Sequence, residues 1–173
     1  MIKRNRRLRT DKRASAQDII YVIVVLFALG LGMVVYYTIG SKMNDKFQSM
    51  SQIPAAGKNM SDKAISYYPS VMDKAVPFIM VMMAIIMLIM SMMVSVHPVF
   101  LVLFFIVWIV AIILSVIFAD AYEMISTSEM FANYAANLTM TNFTIKILPW
   151  ITGVLGMLLM AVMYKGKKYN EPT

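Results

Sequence analysis

The uncharged run AVPFIMVMMAIIMLIMSMMVSVHPVFLVLFFIVWIVAIILSVIFA, Ala75 to Ala119, decides the fold. As one helix it would reach about 67 Å, more than twice the roughly 30 Å hydrocarbon core of a bilayer. It must therefore be two crossings. Ser95-Val96-His97-Pro98 supplies the break, because Pro98 disfavours helical backbone at His97. The expectation is two helices, 75–96 and 98–119, joined as a tight hairpin.

Two further uncharged runs flank this one, Ile19 to Ser41 and Ile147 to Tyr164, each long enough to cross. None alternates as a membrane-barrel strand would, and backbone groups in lipid must bond internally, so helices follow. The fold class is all-α, an integral membrane protein with four transmembrane helices. Its parts are a basic arm (1–18), a first span (19–40) and an outer loop with short amphipathic helices (41–74). The paired spans (75–96 and 98–119), an acidic outer loop (120–146), a last span (147–164) and a basic tail (165–173) complete it.

Composition agrees. Of 173 residues, 60% are hydrophobic and 14% charged, against about 45–50% and 25% in ordinary soluble domains. Cys is absent and His97 is the single histidine. Disulfides, thiol nucleophiles and thiolate metal sites are thereby excluded. No metal ligand set, catalytic triad or phosphate loop is present, and no cofactor is expected.

Lys and Arg beside the spans set the orientation. Seven lie in the arm (Lys3, Arg4, Arg6, Arg7, Arg9, Lys12, Arg13) and three in the tail (Lys165, Lys167, Lys168). Six more are spread over the two longer loops, and the second of these, with Asp120, Glu123 and Glu129 against Lys146, is net negative. Both termini are predicted inside, with His97-Pro98 at an inner turn. The first apolar run exceeds a usual signal core, which favours an uncleaved anchor.

Met43, Phe47 and Met50 follow i, i+4, i+7 spacing, so the first helix should continue outward with one apolar stripe. Gln52 to Gly57 should break it. Asn59 to Asp62 offer caps for a second helix that Pro69 should end. Tyr67 and Tyr68 suit the headgroup layer. This loop reads either as a contact surface or as a connector lying on the bilayer.

Asp120 and Glu123, i and i+3, form an outer acidic face on a helix continuing past the membrane; a solvated helix end accounts for them. Lys146 reads as a snorkelling cation at the edge of the last span. Asn137-Leu138-Thr139 and Asn142-Phe143-Thr144 fit the glycosylation sequon. Ser91 with Ser95, Ala111 with Ser115 and Ala119, Ala28 with Gly32, and Gly153 with Gly156 are small-residue rows that permit close helix approach and homo-oligomerisation. Pro149 falls in the first turn of the last helix, where it is tolerated. His97 is a candidate pH switch, though a turn residue bonded to water or headgroups explains it. The methionines of the second span bind Cu(I) in principle, but they circle the helix and read as packing.

Ionisable residues inside spans mark transporters and ion paths. Their absence from these spans argues against those classes, and an enzyme is not expected. A structural membrane protein remains. The arm would attract anionic headgroups at about 1 kcal/mol per cation, or the phosphate backbone of a genome.

The pattern of basic arm (with Thr10-Asp11-Lys12-Arg13), N-in anchor, outer loop, apolar hairpin broken at His97-Pro98, Phe118-Ala119-Asp120-Ala121-Tyr122-Glu123 and final span resembles the small integral membrane proteins of tailless viruses with an internal membrane. The resemblance implies a non-enzymatic virion component that organises the lipid vesicle and links it to capsid proteins or genome. It would sit in the virion internal membrane and in the host cytoplasmic membrane. An accessory subunit of a cellular membrane complex, or a holin-like pore-forming lysis protein, are the other classes the sequence admits.

Overall fold

The first helix carries its own explanation in the spacing of its buried residues. Ile19, Ile23, Leu26, Met33 and Val34 lie on one face of α1 (Ala14–Ser49), and Thr38, Ser41 and Asn44 extend that face. The stripe changes from apolar to polar as the helix advances. At 36 residues, α1 is about 54 Å long, so an apolar length sufficient for a bilayer leaves several turns over. In this computed structural model the backbone is described for residues 14–93 and 98–165, and side chains for 18–92 and 101–164.

Six helices follow: α2 (Ala55–Met72), α3 (Ala75–Met93), α4 (Pro98–Ser126), α5 (Ala132–Ala135), α6 (Thr139–Lys146) and α7 (Leu148–Lys165). No strand occurs among the described residues. Three helical stretches are long and apolar enough to cross a membrane, Asp18–Ser49, Ala55–Met92 and Leu101–Ser126. A fourth arises if α6 and α7, bent by 55° at their junction, count as one span. The chain is thus an all-helical protein compatible with multi-pass membrane insertion.

The core is a bundle of α1, α3, α4 and α7. α4 packs on α1 and on α7, and α3 on both α1 and α7. Phe27 of α1 stacks on Phe118 of α4 with ring centroids 4.7 Å apart. Outward faces stay greasy: Phe78, Ile86, Met92, Val102, Ile113 and Met157 are each at least half exposed. A surface like that suits lipid tails rather than water.

Small residues decide how closely the helices approach. Ala111 and Ser115 are fully buried in α4, and Ser91 is buried in α3 with its hydroxyl lacking a hydrogen-bond partner among the described residues. Gly156 of α7 lies directly under the Trp108 ring, and Trp108 donates from Nε1 to the Thr152 carbonyl at 3.1 Å. Gly30 of α1 receives the tip of Ile145 in the same manner. Gly153 and Gly32 face open space, and Ala28 is exposed, so the Ala28–Gly32 row does not form a packing seam within the chain.

Several sequence expectations meet their elements. α1 runs to Ser49 with Met43 and Phe47 exposed on it and Met50 exposed just past its end. Pro98 opens α4, α4 carries Asp120 and Glu123 past the apolar run, and Pro149 sits in the first turn of α7. The second loop helix differs. It begins at Ala55, not near Asn59, because the Pro54 carbonyl takes the N–H groups of Gly57 (2.9 Å) and Lys58 (3.2 Å). Pro69 does not end it either. The helix carries through Pro69 to Met72, where the Pro69 carbonyl accepts the Asp73 N–H at 3.0 Å. A proline removes its own N–H bond but leaves its carbonyl available to the next turn.

Candidate functional site

α1 and α2 form a hairpin held by polar rungs. Ser61 donates to Asn44 Oδ1 at 2.7 Å, and Asn44 Nδ2 donates to Asp62 at 3.3 Å. Further along, Gln48 Nε2 donates to the Lys58 carbonyl at 2.9 Å while Lys58 Nζ donates to the Gln48 carbonyl at 2.7 Å. None of the α2 residues is buried. Burying the unbonded sides of such groups in an apolar medium would be costly.

A tyrosine cluster stands at the root of this hairpin. Tyr68 lies between Tyr36 and Tyr37, with centroids 5.0 and 5.5 Å away, and Tyr134 meets Tyr37 edge-on at 5.8 Å. Rings that are apolar in body and polar at the tip suit a boundary between oil and water. Of the two tyrosines singled out by sequence, Tyr68 is therefore a packing residue here, whereas Tyr67 is exposed.

Asp73, in the short break between α2 and α3, is the buried carboxylate of the described residues and was not a candidate from sequence. Its Oδ2 accepts the Met140 N–H at 2.9 Å and its Oδ1 the Thr141 N–H at 2.7 Å. Both belong to the first turn of α6. That turn has four backbone donors without helical partners and the positive end of the helix dipole. The residue at the cap position, Leu138, contributes no side-chain cap. Asp73 thus caps α6 from across the molecule, with Thr141 Oγ1 donating back to the Asp73 carbonyl at 3.4 Å.

The lock extends sideways. Tyr122 of α4 donates to Asn142 Oδ1 at 2.6 Å, and Asn142 Nδ2 donates to the Ala135 carbonyl at 2.8 Å. Tyr122 lies beyond Ala119, past the apolar part of α4. α2–α3, α4, α5 and α6 are joined through Asp73, Tyr122 and Asn142. With both oxygens of Asp73 engaged, the arrangement is suited to holding helices rather than to moving protons.

Asp120 and Glu123 are both exposed on α4, as the spacing predicts. Glu123 also lines a cavity of about 190 Å³ together with Tyr122, Ser126, Thr127, Asn142 and Lys146. The packing of α6 on α4 brings Lys146 and Glu123 to one cavity, which no spacing rule reveals. The cations of the basic arm (Lys3, Arg4, Arg6, Arg7, Arg9, Lys12, Arg13) and His97 lie outside the described residues, as does the side chain of Pro98. Among the described residues no three His, Cys, Asp or Glu side chains gather where they could hold a metal. The methionines of α3 point several ways, with Met87 buried and Met82, Met90 and Met92 exposed.

No protein-family model matches the chain, and no curated protein or solved structure is found to be similar to it.

Proposed function

We propose that this chain is a non-enzymatic structural protein of a membrane. The observation that carries the reading is the use made of Asp73. Asp73 is the buried carboxylate of the described residues, lies just before the apolar run of α3, and gives both its oxygens to the first turn of α6. Its neighbours Tyr122 and Asn142 likewise bond to protein groups. Beside the bundle, α1 and α2 form a hairpin joined by polar rungs. The polar rungs of that hairpin support placing it in water, and the bias of Lys and Arg toward the two ends of the chain supports placing both termini inside and the hairpin outside.

The setting that fits best is the internal membrane of a tailless virus. There the outer hairpin would meet the capsid shell and the basic arm would meet anionic headgroups or the genome. Gradient-purified particles in which this chain bands with lipid and a capsid protein would bear this out. Stoichiometric recovery with a cellular membrane complex would replace it with an accessory-subunit role, and dye leakage on induction would replace it with a lysis role.

Genome contact has its own test. In proteoliposomes with the arm exposed, changing Arg4, Arg6, Arg7 and Arg9 to Gln should abolish salt-sensitive retention of DNA, because each phosphate contact releases counterions. Unchanged retention would assign the arm to lipid alone.

A further inference from the structure

We infer that the cavity between the C-terminal ends of α4 and α6 is a binding site for a zwitterion carrying a phosphate ester and a primary ammonium, the chemistry of an ethanolamine phospholipid headgroup. Its walls are sorted by hydrogen-bonding capacity. On the α4 side stands the Glu123 carboxylate. Ser126 and Thr127 donate their hydroxyl protons to the Glu123 carbonyl, at 3.2 and 2.7 Å. The Tyr122 proton goes to Asn142. Those three oxygens therefore face any further partner chiefly as acceptors. Four acceptors, one of them charged, suit a small ammonium with three donors.

On the α6 side stands Lys146, a donor only. It lines the same cavity as Glu123, yet no ion pair within 4.0 Å joins the two. Opposite charges on the walls of one pocket of about 190 Å³ suit a molecule that carries both charges itself. A quaternary choline ammonium cannot donate hydrogen bonds to those acceptors and is bulkier, so the site should prefer the primary amine.

Surroundings favour a lipid as the source. Trp150, four residues past Lys146 across the α6–α7 bend, is 78% exposed, and Val154, Met157 and Leu158 continue an exposed apolar face down α7. A headgroup seated at Lys146 would lay its acyl chains along that face. This part rests on the membrane reading above; the chemistry of the cavity does not.

The test is calorimetric titration of the full chain in detergent with three probes: dihexanoyl phosphatidylethanolamine, dihexanoyl phosphatidylcholine and free phosphoethanolamine. The ethanolamine lipid should bind at least tenfold more tightly than the choline lipid. Glu123→Gln and Lys146→Gln, both at exposed positions, should each weaken it about tenfold or more while leaving the helical circular dichroism unchanged. Free phosphoethanolamine binding as tightly as the lipid would support the site with a soluble zwitterion as its source; weaker binding would support the lipid. Equal binding of the two lipids, or affinity unaltered in both Gln variants, would overturn the proposal. Because the free headgroup is tested in detergent, its result stands even if the chain were extracted from membranes by carbonate.

Discussion

Replacing Asp73 with alanine is expected to lower the unfolding free energy by about 3 kcal/mol, since two hydrogen bonds to a charged acceptor are lost and two α6 donors, one buried and one part-buried, are left without their partner. The loss should be local first. Amide exchange at Met140 and Thr141 should accelerate more than exchange in α4. Asp73→Asn keeps one acceptor oxygen and forfeits the charge, so its penalty should be about half as large. Both are measurable by denaturant titration in mild detergent, followed by circular dichroism and hydrogen exchange. A change below about 0.5 kcal/mol for Asp73→Ala, the range of an ordinary surface substitution, would mean that α6 does not depend on its distant cap.

The second large effect sits between α4 and α7. A methyl group at Gly156 would fall on Nε1, Cδ1 and Cε2 of Trp108. The ring cannot yield without giving up its bond to the Thr152 carbonyl, because that bond fixes the indole edge. Overpacking of a buried contact costs about 1–3 kcal/mol, and loss of the hydrogen bond adds about 1. Gly156→Ala should therefore destabilise by about 2–4 kcal/mol and shift the fluorescence of Trp108. Gly153→Ala is the matched control, for nothing lies within 4 Å of the added carbon. There the gain in helix propensity should leave stability unchanged or raised by up to about 1 kcal/mol. Equal effects at the two glycines would contradict the packing described.

What the sequence discloses here is the part governed by solvent. Charge-free length marks the apolar helices, Pro98 marks where the longest run divides, and the i, i+3 spacing of Asp120 and Glu123 marks a helix passing beyond its apolar segment. What stays hidden depends on contacts between residues far apart in the chain. Asp73 is 67 positions from Met140, and neither a capping pattern nor a motif connects them. Leu138 at the start of α6 even argues locally against a stable helix there. Gly153 and Gly156 look alike in sequence, and only the position of Trp108 separates them. Pro69 shows the opposite error: a residue with a strong local rule is carried inside a helix because its turn still finds enough carbonyl partners.

The same division explains why the candidate cavity was legible only as parts. Lys146 alone is adequately a snorkelling cation, and Glu123 alone a solvated helix end. Their meeting depends on the packing of α6 against α4, two helices whose contact no local spacing announces. The short α6 can hold that place because Asp73 anchors its first turn and Ile145 packs at Gly30 near its last. Architecture and proposed ligand site thus depend on one anchor.

Membrane crossing with the α1–α2 hairpin outside is the claim on which the rest depends, and the chain's lack of cysteine makes it directly measurable. Single cysteines at Ser51, Asn133 and Asn5 can each be exposed, in sealed cells, to a thiol reagent that does not cross the bilayer. The account predicts labelling at Ser51 and Asn133 from outside, and at Asn5 only after permeabilisation. Labelling of Asn5 in sealed cells, with Ser51 and Asn133 protected, would contradict it.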